Sequence, residues 1–293
     1  MAEILSIQST VVYGRVGHMG SAFALGRFGH DVWPLPTVLL SNHTGYATVT
    51  GRALPEDEIA ELVAGLEANG LLDRVHTLLT GYLGSVPVAG ITLAALDRMR
   101  ERHPQTLYLC DPVLGDEGVG LYLPPEIGIA YRDRLLPRAD IATPNEFELR
   151  WLTGLQPKDL IETVAAARLL GPPVVHVTSV RAGLGPEEIG ILTVTPDFAT
   201  LVRTPRLPIH IYGGGDLTAA ILLAGALAGQ DPAQAAVHAA SAMHAVITRT
   251  VEDDLPEIGV VQAQEAIVSP PRIFASEIVE QRPLASLAEG GPA

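Results

Sequence analysis

Hydrophobic residues along the chain form short runs that alternate with longer segments of helical character. The clearest helix, PEDEIAELVAGLEANG, has Pro55 at its start and Gly70 beyond its end. A second run, DVWPLPTVLL, contains Pro34 and Pro36, which favour an edge strand. The alternation predicts a mostly parallel sheet with helices on both faces. The predicted strands before the last third of the chain are residues 4–9, 31–40, 75–81, 106–112, 140–145 and 174–179.

The last third of the chain departs from this alternation. Residues 190–196 and 200–207 have no helix between them and predict a hairpin, and two Ala-rich helices follow at 216–229 and 231–250. From Ser276 the pattern fades, which predicts a loosely held tail over residues 276–293. Without an internal repeat or a long linker, residues 1–275 are predicted to form one domain. The expected fold class is α/β, a single-domain three-layer α/β/α sandwich with a central mostly parallel sheet.

Composition narrows the classes of partner. The net charge of −14 argues against nucleic acid and anionic membranes, although backbone N–H groups can still bind phosphate. The longest apolar stretch, residues 217–229, is shorter than the roughly 20 residues that span a bilayer. A lone cysteine, Cys110, excludes an intramolecular disulfide and favours a cytoplasmic location. The single lysine, Lys158, follows no glycine-rich loop, which excludes a P-loop.

Polar side chains follow several of the predicted strands, at the ends where ligands bind in parallel sheets. Asp111 and Asp116 come after the fourth run, and Thr143, Asn145 and Glu148 come after the fifth. Each alone is compatible with an ordinary turn or cap, but together they indicate a site. Asn145 and Glu148 share one helix face and could hold the waters of Mg²⁺, with the two aspartates adding charge. A capping role for Glu148 fits the local sequence equally well.

The stretch GGGD, residues 213–216, precedes the first Ala-rich helix. Taken locally, it favours a flexible turn with Asp216 as the N-cap. The alternative is an anion hole, in which Gly213, Gly214 and Gly215 direct backbone N–H groups at a transferring phosphoryl group. Asp216 would then accept the proton of an attacking hydroxyl, and the helix end would favour its ionised form.

These motifs together resemble the ribokinase-like superfamily. The G-x-G-D signature, DPVLGD at 111–116 and TPNEFE at 143–148 carry this resemblance. Within the superfamily, ILSIQS, SNHTGY at 41–46 and LTGY at 79–82 look like the pyridoxal kinases, especially the bacterial salvage type. The similarity extends from Ile4 to about Thr250. It implies ATP-dependent phosphorylation of the 5′-hydroxymethyl group of pyridoxal, with ATP and Mg²⁺, a monovalent cation such as K⁺, and a homodimer.

The resemblance also implies roles for individual residues. Asp216 would be the base, and the glycines 213–215 would form the anion hole. On the substrate side it implies Ser9, Val16, Leu40, His43, Thr44 and Tyr82. For ATP it implies Asp111, Asp116, Tyr122, Thr143, Asn145, Glu148, Thr178 and Ser179. For the metal it implies Asp111, Asp116 and Glu148.

Two alternatives remain open at this point. One is a hydroxymethylpyrimidine or sugar kinase that uses the same machinery. The other is a non-catalytic vitamin B6-binding or regulatory protein, which Asp216, Asn145 and Glu148 argue against, since a pure binder needs no base beside a metal. Gly214 departs from the usual Thr, Val or Ala, which costs up to ~1 kcal/mol of chain entropy and is expected to slow turnover without abolishing it.

Overall fold

One central sheet organises residues 1–281, the part of the chain that the computed structural model describes. In chain order, its strands and those of a small two-stranded sheet are β1 (Glu3–Val11), β2 (Asp31–Leu40), β3 (Gly51–Ala53), β4 (Thr77–Thr80), β5 (Leu107–Cys110), β6 (Gly115–Asp116), β7 (Gly120–Leu121), β8 (Ile141–Ala142), β9 (Val174–Val180), β10 (Glu188–Val194), β11 (Phe198–Pro205) and β12 (Ser276–Gln281). The strands β6 and β7 pair only with each other, and the other ten form the central sheet.

Helices connect most of these strands. The α-helices are α1 (His18–Arg27), α2 (Glu56–Ala68), α3 (Val86–Arg102), α4 (Pro125–Ala130), α5 (Glu146–Thr153), α6 (Leu160–Arg168), α7 (Gly214–Leu227), α8 (Pro232–Glu252) and α9 (Gln264–Val268). Single turns of other helical types lie at Leu72–Arg74, Tyr131–Leu135 and Leu136–Arg138. Within residues 1–281, none of the helices combines the length and the apolar character that crossing a membrane requires.

The sheet is mostly parallel, as the alternation predicts. Its spatial order is β12-β11-β10-β9-β8-β5-β4-β1-β2-β3. The six strands from β9 to β2 in this order are mutually parallel, while β3 and the strands from β10 to β12 pair antiparallel. The predicted hairpin is confirmed as β10–β11. Since parallel strands end at one edge of the sheet, their carboxyl ends carry the candidate site residues together.

Two hydrophobic cores lie on opposite faces of the sheet. In β1, Leu5 and Ile7 belong to the core under α2 to α6, whereas Ile4 belongs to the core under α1 and α7 to α9. This alternation follows from the two-residue period of a strand, which sends successive side chains to opposite faces. The predicted three-layer α/β/α arrangement is therefore confirmed.

Two predictions about the sheet edges need correction. Pro34 and Pro36 lie in an edge segment as expected, but the short strand β3 covers β2 at residues 38–40. The tail predicted from Ser276 begins instead with β12, which pairs with β11. The strand β12 pairs with one strand only and is largely exposed. It therefore lacks the run of buried hydrophobic residues by which a strand is recognised in a sequence. The remainder of that predicted tail, residues 282–293, lies outside the described residues.

Candidate active site

Predicted site residues from three neighbouring strands meet at the carboxyl edge of the sheet. Asp111 directly follows β5, Thr143 follows β8, and Thr178 lies near the end of β9. The Thr143 hydroxyl donates a hydrogen bond to the Asp111 carboxylate at 2.9 Å. The Thr178 N–H donates to the Pro144 carbonyl at 2.8 Å, which joins the ends of β8 and β9. The structure therefore brings the polar strand ends together as the sequence predicts.

Asp111 and Asp216 form an acidic pair at this edge. Asp111 is 5% exposed, and burial together with the charge of Asp216 raises its pKa to about 8. In the part of the chain that the structure describes, no basic side chain forms an ion pair with either carboxylate. Two neighbouring carboxylates without a cation are unfavourable in a protein interior. The pair is therefore suited to a cationic ligand.

The carboxyl group of Asp216 differs from the sequence-based expectation. Its position at the start of α7 favours ionisation, and the N–H groups of Gly17 and of Asp216 itself lower its pKa. Desolvation by the surrounding protein outweighs these effects and raises the pKa above its ordinary value. A raised pKa makes the carboxylate a stronger base, which suits a group that accepts a proton.

The glycine turn (Gly213–Gly215) leads directly into α7. Gly213 is the N-cap residue, with a left-handed backbone at φ 82°, and the helix begins at Gly214. The turn packs against the loop after β1, because a Cβ on Gly213 would collide with the carbonyl oxygen of Arg15. Gly215 is exposed, and a Cβ there would meet no neighbouring atom. The first N–H groups of a helix lack intrahelical partners, so this turn presents donors to an open space.

Asn145 and Glu148 form a capping box at the start of α5. The Asn145 side chain accepts the Glu148 N–H, and Glu148 Oε2 accepts the Asn145 N–H, both at 2.8 Å. Glu148 Oε1 accepts the N–H groups of Leu114 (2.8 Å) and Gly115 (3.4 Å). The capping alternative for Glu148 is therefore confirmed. Through the same bonds, Glu148 fixes the loop that follows Asp111.

The predicted metal ligands Asp111, Asp116 and Glu148 are not gathered into a direct metal site. Among residues 1–281, no group of three or more His, Cys, Asp or Glu side chains is placed to hold a metal ion. Both oxygens of Glu148 accept backbone N–H groups, and Asp116 Oδ1 accepts the Glu117 N–H at 2.7 Å. Of the three, Asp111 lies beside Asp216 and accepts a hydrogen bond from the Thr143 hydroxyl rather than from a backbone N–H group, so it is the carboxyl group available to a cation, and any metal needs oxygen ligands from elsewhere.

Tyr122 lies beside this acidic cluster. Its N–H donates to the Leu114 carbonyl at 2.7 Å, which holds it at the end of the β6–β7 hairpin. Burial and the charges of Asp116, Glu148 and Asp216 raise the pKa of its hydroxyl. The group therefore stays protonated and can donate a hydrogen bond toward the site.

The predicted substrate-side residues occupy the ends of β1, β2 and β4. Ser9 is buried in β1, while Val16 and Leu40 are half-buried. Tyr82 follows β4, and its carbonyl accepts the Thr37 hydroxyl at 2.6 Å. Since β4, β1 and β2 adjoin each other in the sheet, Ser9, Leu40 and Tyr82 lie near one another, and Val16 in the loop after β1 lies next to Gly213.

The 41–50 loop (residues 41–50) joins this side to the glycine turn. The ring of His43 stacks on Tyr212 with centroids 4.1 Å apart and planes at 24°. Tyr212 immediately precedes Gly213. Thr44 follows His43 and is exposed. The loop that carries two of the predicted substrate-side residues is therefore placed against the predicted anion hole.

Ser179 has an unusual backbone on the opposite side of the site. It lies in β9 with φ 54°, a left-handed conformation, and its side chain is exposed. Such strain in a residue other than glycine costs of order 1–3 kcal/mol and concentrates at ligand sites. Thr178 and Ser179 thus lie just before the end of β9, at the edge where the nucleotide side is predicted.

Two residues that contact the predicted site were not found from the sequence. Tyr212 has one signal, its position directly before Gly213. Glu257 has none, since it lies in the irregular segment after α8 and only folding brings it to His43.

Comparisons with known proteins agree with this geometry. Residues 60–259 match the family model described as phosphomethylpyrimidine kinase. The chain is 42% identical over 277 residues to a protein named pyridoxal kinase PdxY from Rubrobacter xylanophilus, covering 93% of this chain and 96% of that protein.

Solved structures also resemble the chain over nearly all of its length. A pyridoxal kinase from Leishmania donovani in complex with ADP and pyridoxamine has a TM-score of 0.89 and 31% identity, covering 95% of this chain and 99% of that one. A putative phosphomethylpyrimidine kinase from Bacteroides thetaiotaomicron has a TM-score of 0.86 and 27% identity, covering 95% and 98%.

Proposed function

Because the chain belongs to the pyridoxal kinase family, within the wider phosphomethylpyrimidine kinase family, we propose that it transfers the γ-phosphoryl group of ATP to pyridoxal. The acceptor is the 5′-hydroxymethyl group, and the products are pyridoxal 5′-phosphate and ADP. The observation that carries the proposal is the half-buried carboxylate of Asp216 directly behind the glycine turn. A base and a set of phosphate-binding N–H groups at one helix end are what transfer to a hydroxyl requires.

Asp216 acts as the base. Its raised pKa strengthens the carboxylate as a proton acceptor. As the substrate oxygen bonds to the γ-phosphorus, its proton passes to Asp216 and the bond to the bridging oxygen of ADP breaks. The proton is then released when the product leaves.

The glycine turn stabilises the charge that spreads over the transferring group. Its N–H groups and the positive end of α7 face the open space beside Gly215. These donors are held before reaction by the contact between Gly213 and Arg15, so little reorganisation is needed.

The site fits Mg²⁺ as an ion that Asp111 would hold together with oxygen ligands from outside the cluster of carboxylates. Asp111 would supply protein charge to the ion on losing the proton that burial and Asp216 favour. When bound, Mg²⁺ neutralises the charge of the phosphates. Asp116 and Glu148 act on the electrostatics around it, while their oxygens hold the loop after β5.

ATP and pyridoxal approach the glycine turn from opposite sides. In this proposal Thr143, Asn145, Thr178 and Ser179 line the nucleotide side, and Tyr122 donates toward the phosphates. Ser9, Thr44 and Tyr82 contact the pyridine ring, with Val16 and Leu40 as apolar walls and His43 behind Thr44. The ADP in the Leishmania donovani structure supports ATP as the phosphoryl donor.

Formation of pyridoxal 5′-phosphate from MgATP and pyridoxal tests the function. We expect turnover in the wild type and a loss of about 10²–10⁴-fold in kcat for Asp216→Asn, since general-base catalysis typically contributes that much. Asp197→Asn, an exposed aspartate in the β10–β11 turn, is the matched control and should keep wild-type rates. Wild-type turnover no faster than that of Asp216→Asn would overturn the proposed kinase activity.

Hydroxymethylpyrimidine, the alternative substrate from the sequence, is the second candidate, because the matching family model and the Bacteroides thetaiotaomicron structure are both named for a kinase of the related phosphomethylpyrimidine. Side-by-side kcat/KM values decide between the two. Equal or higher values for hydroxymethylpyrimidine, or for a sugar, would replace pyridoxal as the substrate.

The proposal includes three further properties that the resemblance implies. These are activation by K⁺, a homodimer and a cytoplasmic location. Replacing K⁺ by Na⁺ in the assay tests the first, sedimentation equilibrium tests the second, and cell fractionation tests the third. The only cysteine, Cys110, is buried with its pKa raised to about 12, so thiol chemistry has no part in the mechanism.

A further inference from the structure

Glu257 contacts both loops that flank the proposed substrate side. It comes from the segment after α8, and its side chain is 11% exposed. Its Oε1 accepts hydrogen bonds from His43 Nε2 (3.0 Å) and from the Tyr46 hydroxyl (2.5 Å). Neither the catalytic mechanism above nor the sequence pattern assigns a role to this carboxylate.

The hydrogen bonds of His43 fix the orientation of its ring. Nδ1 accepts the Gly45 N–H at 3.1 Å, so Nε2 carries the ring proton and donates it to Glu257. With both nitrogens engaged, the ring is held parallel to Tyr212, the residue before the glycine turn.

The 41–50 loop packs closely on Tyr212 at a second point. A Cβ on Gly45 would collide with the Tyr212 ring, so the backbone of the loop lies directly on that ring. Tyr46 adds an edge contact with Tyr13 of the 12–17 loop (residues 12–17), with ring centroids 5.9 Å apart. The loop is therefore held between Tyr212 on one side and Glu257 on the other.

Glu257 also packs against the 12–17 loop. A Cβ on Gly14 would lie 3.0 Å from Glu257 Oε2, an oxygen that is buried and has no hydrogen-bond partner among the described residues. One buried carboxylate thus contacts both loops, and hydrogen bonds to a charged acceptor are the stronger kind.

We propose that Glu257 is a positioning residue, which holds the 41–50 loop against Tyr212. This contact keeps the distance and orientation between Thr44 and the glycine turn constant. Glu257 acts through His43 and Tyr46 and does not touch the reacting atoms. The kinetic consequence rests on the proposed function, because it requires that the 41–50 loop binds the acceptor substrate.

Steady-state kinetics test this role. Glu257→Ala should raise the KM for pyridoxal about tenfold or more, as expected for lost hydrogen bonds to a charged group, with kcat and the KM for ATP within about twofold. Glu257→Gln should return the KM for pyridoxal most of the way to the wild-type value, because an amide oxygen still accepts both hydrogen bonds. The exposed Glu252→Ala at the end of α8 is the matched control and should leave both KM values unchanged.

Amide hydrogen exchange tests the loop without reference to activity. Peptides covering residues 41–50 should exchange faster in Glu257→Ala than in wild type or Glu252→Ala, while peptides of α7 stay unchanged. Unchanged exchange in the loop overturns the proposal, as does a Glu257→Gln variant as impaired as Glu257→Ala. If exchange accelerates but the wild type does not phosphorylate pyridoxal, the positioning role stands and the proposed substrate fails.

Discussion

The three glycines of the glycine turn have different surroundings. A Cβ on Gly213 meets the Arg15 carbonyl at a left-handed φ, while one on Gly214 lies 3.2 Å from the end of the Ile211 side chain at an ordinary φ. A Cβ on Gly215 meets nothing and extends into open space. Alanine substitutions at the three positions should therefore affect the free energy of unfolding and the phosphate-binding space to different degrees.

Gly214→Ala should stabilise the protein by about 0.5 kcal/mol, because it reduces the entropy of the unfolded chain while Ile211 moves slightly. Gly213→Ala should destabilise it by more than ~2 kcal/mol through backbone strain and the collision with Arg15. Urea unfolding of the two variants checks this order. Equal stabilities would show that the turn tolerates a side chain at its first glycine.

Gly215→Ala should leave the free energy of unfolding within about 0.5 kcal/mol of wild type but lower kcat by about tenfold or more, because the methyl group enters the phosphate-binding space. Gly65→Ala, in α2 and with no atom near its Cβ, is the control and should keep its kcat. Full activity of Gly215→Ala would place the phosphoryl group elsewhere.

The polar strand ends could be predicted because they follow directly from the strand pattern. Asp111, Thr143 and Asp216 lie beside recognisable strands or at a recognisable helix start. Glu257 could not be found in this way, since its contacts with His43 depend on how α8 packs in the third dimension. The spacing of Asn145 and Glu148 fits capping and metal binding equally well. The hydrogen bonds of the folded protein decide between the two roles of Glu148.

At the scale of elements, α7 and α8 approach closely through small residues. A Cβ on Gly225 would lie 2.8 Å from the Cβ of Ala235 and 2.8 Å from Gln230 Oε1. The alanine-rich pattern predicts two helices but not this contact, because composition does not show which small residues face each other. The sequence pattern predicts core helices with many buried residues, but it does not predict the hairpin β6–β7, whose strands have two residues each, or the largely exposed strand β12.

Gly225→Ala should destabilise the protein by about 1–3 kcal/mol through overpacking between α7 and α8. Gly65→Ala is the matched helix-interior control, since a Cβ on Gly65 of α2 meets no atom within 4 Å. That change should stabilise by roughly 0.5–1 kcal/mol from helix propensity alone. Chemical denaturation of both variants measures the difference, and opposite signs are the expected result.

For the molecule as a whole, buried histidines link stability to pH. His18 is hydrogen-bonded to Ser6 O (2.9 Å) and Thr10 Oγ1 (2.8 Å), and His176 contacts Thr193 Oγ1 (2.9 Å). Burial lowers the pKa of each histidine to about 4. Between pH 6.5 and 4 the unfolded chain therefore binds more protons at these sites, so their contribution to stability falls as the pH falls.

Asp111 contributes in the opposite direction. Its folded pKa of about 8 lies above the unfolded value, so the folded state binds more protons there and stability at this site rises as the pH falls. The pH profile of the wild-type free energy of unfolding therefore combines contributions that rise and contributions that fall with pH. A variant that lacks one titrating group shows how much that group contributes.

His176→Gln isolates the histidine share. Between pH 7 and pH 5 the wild type should lose about 2 kcal/mol more stability than this variant, since each unit of pKa difference is worth about 1.4 kcal/mol. Urea unfolding at several pH values measures both proteins. A His176→Gln profile parallel to that of the wild type would mean that His176 gains its proton in the folded protein as readily as in the unfolded chain, and that the acid sensitivity of the fold arises at other groups.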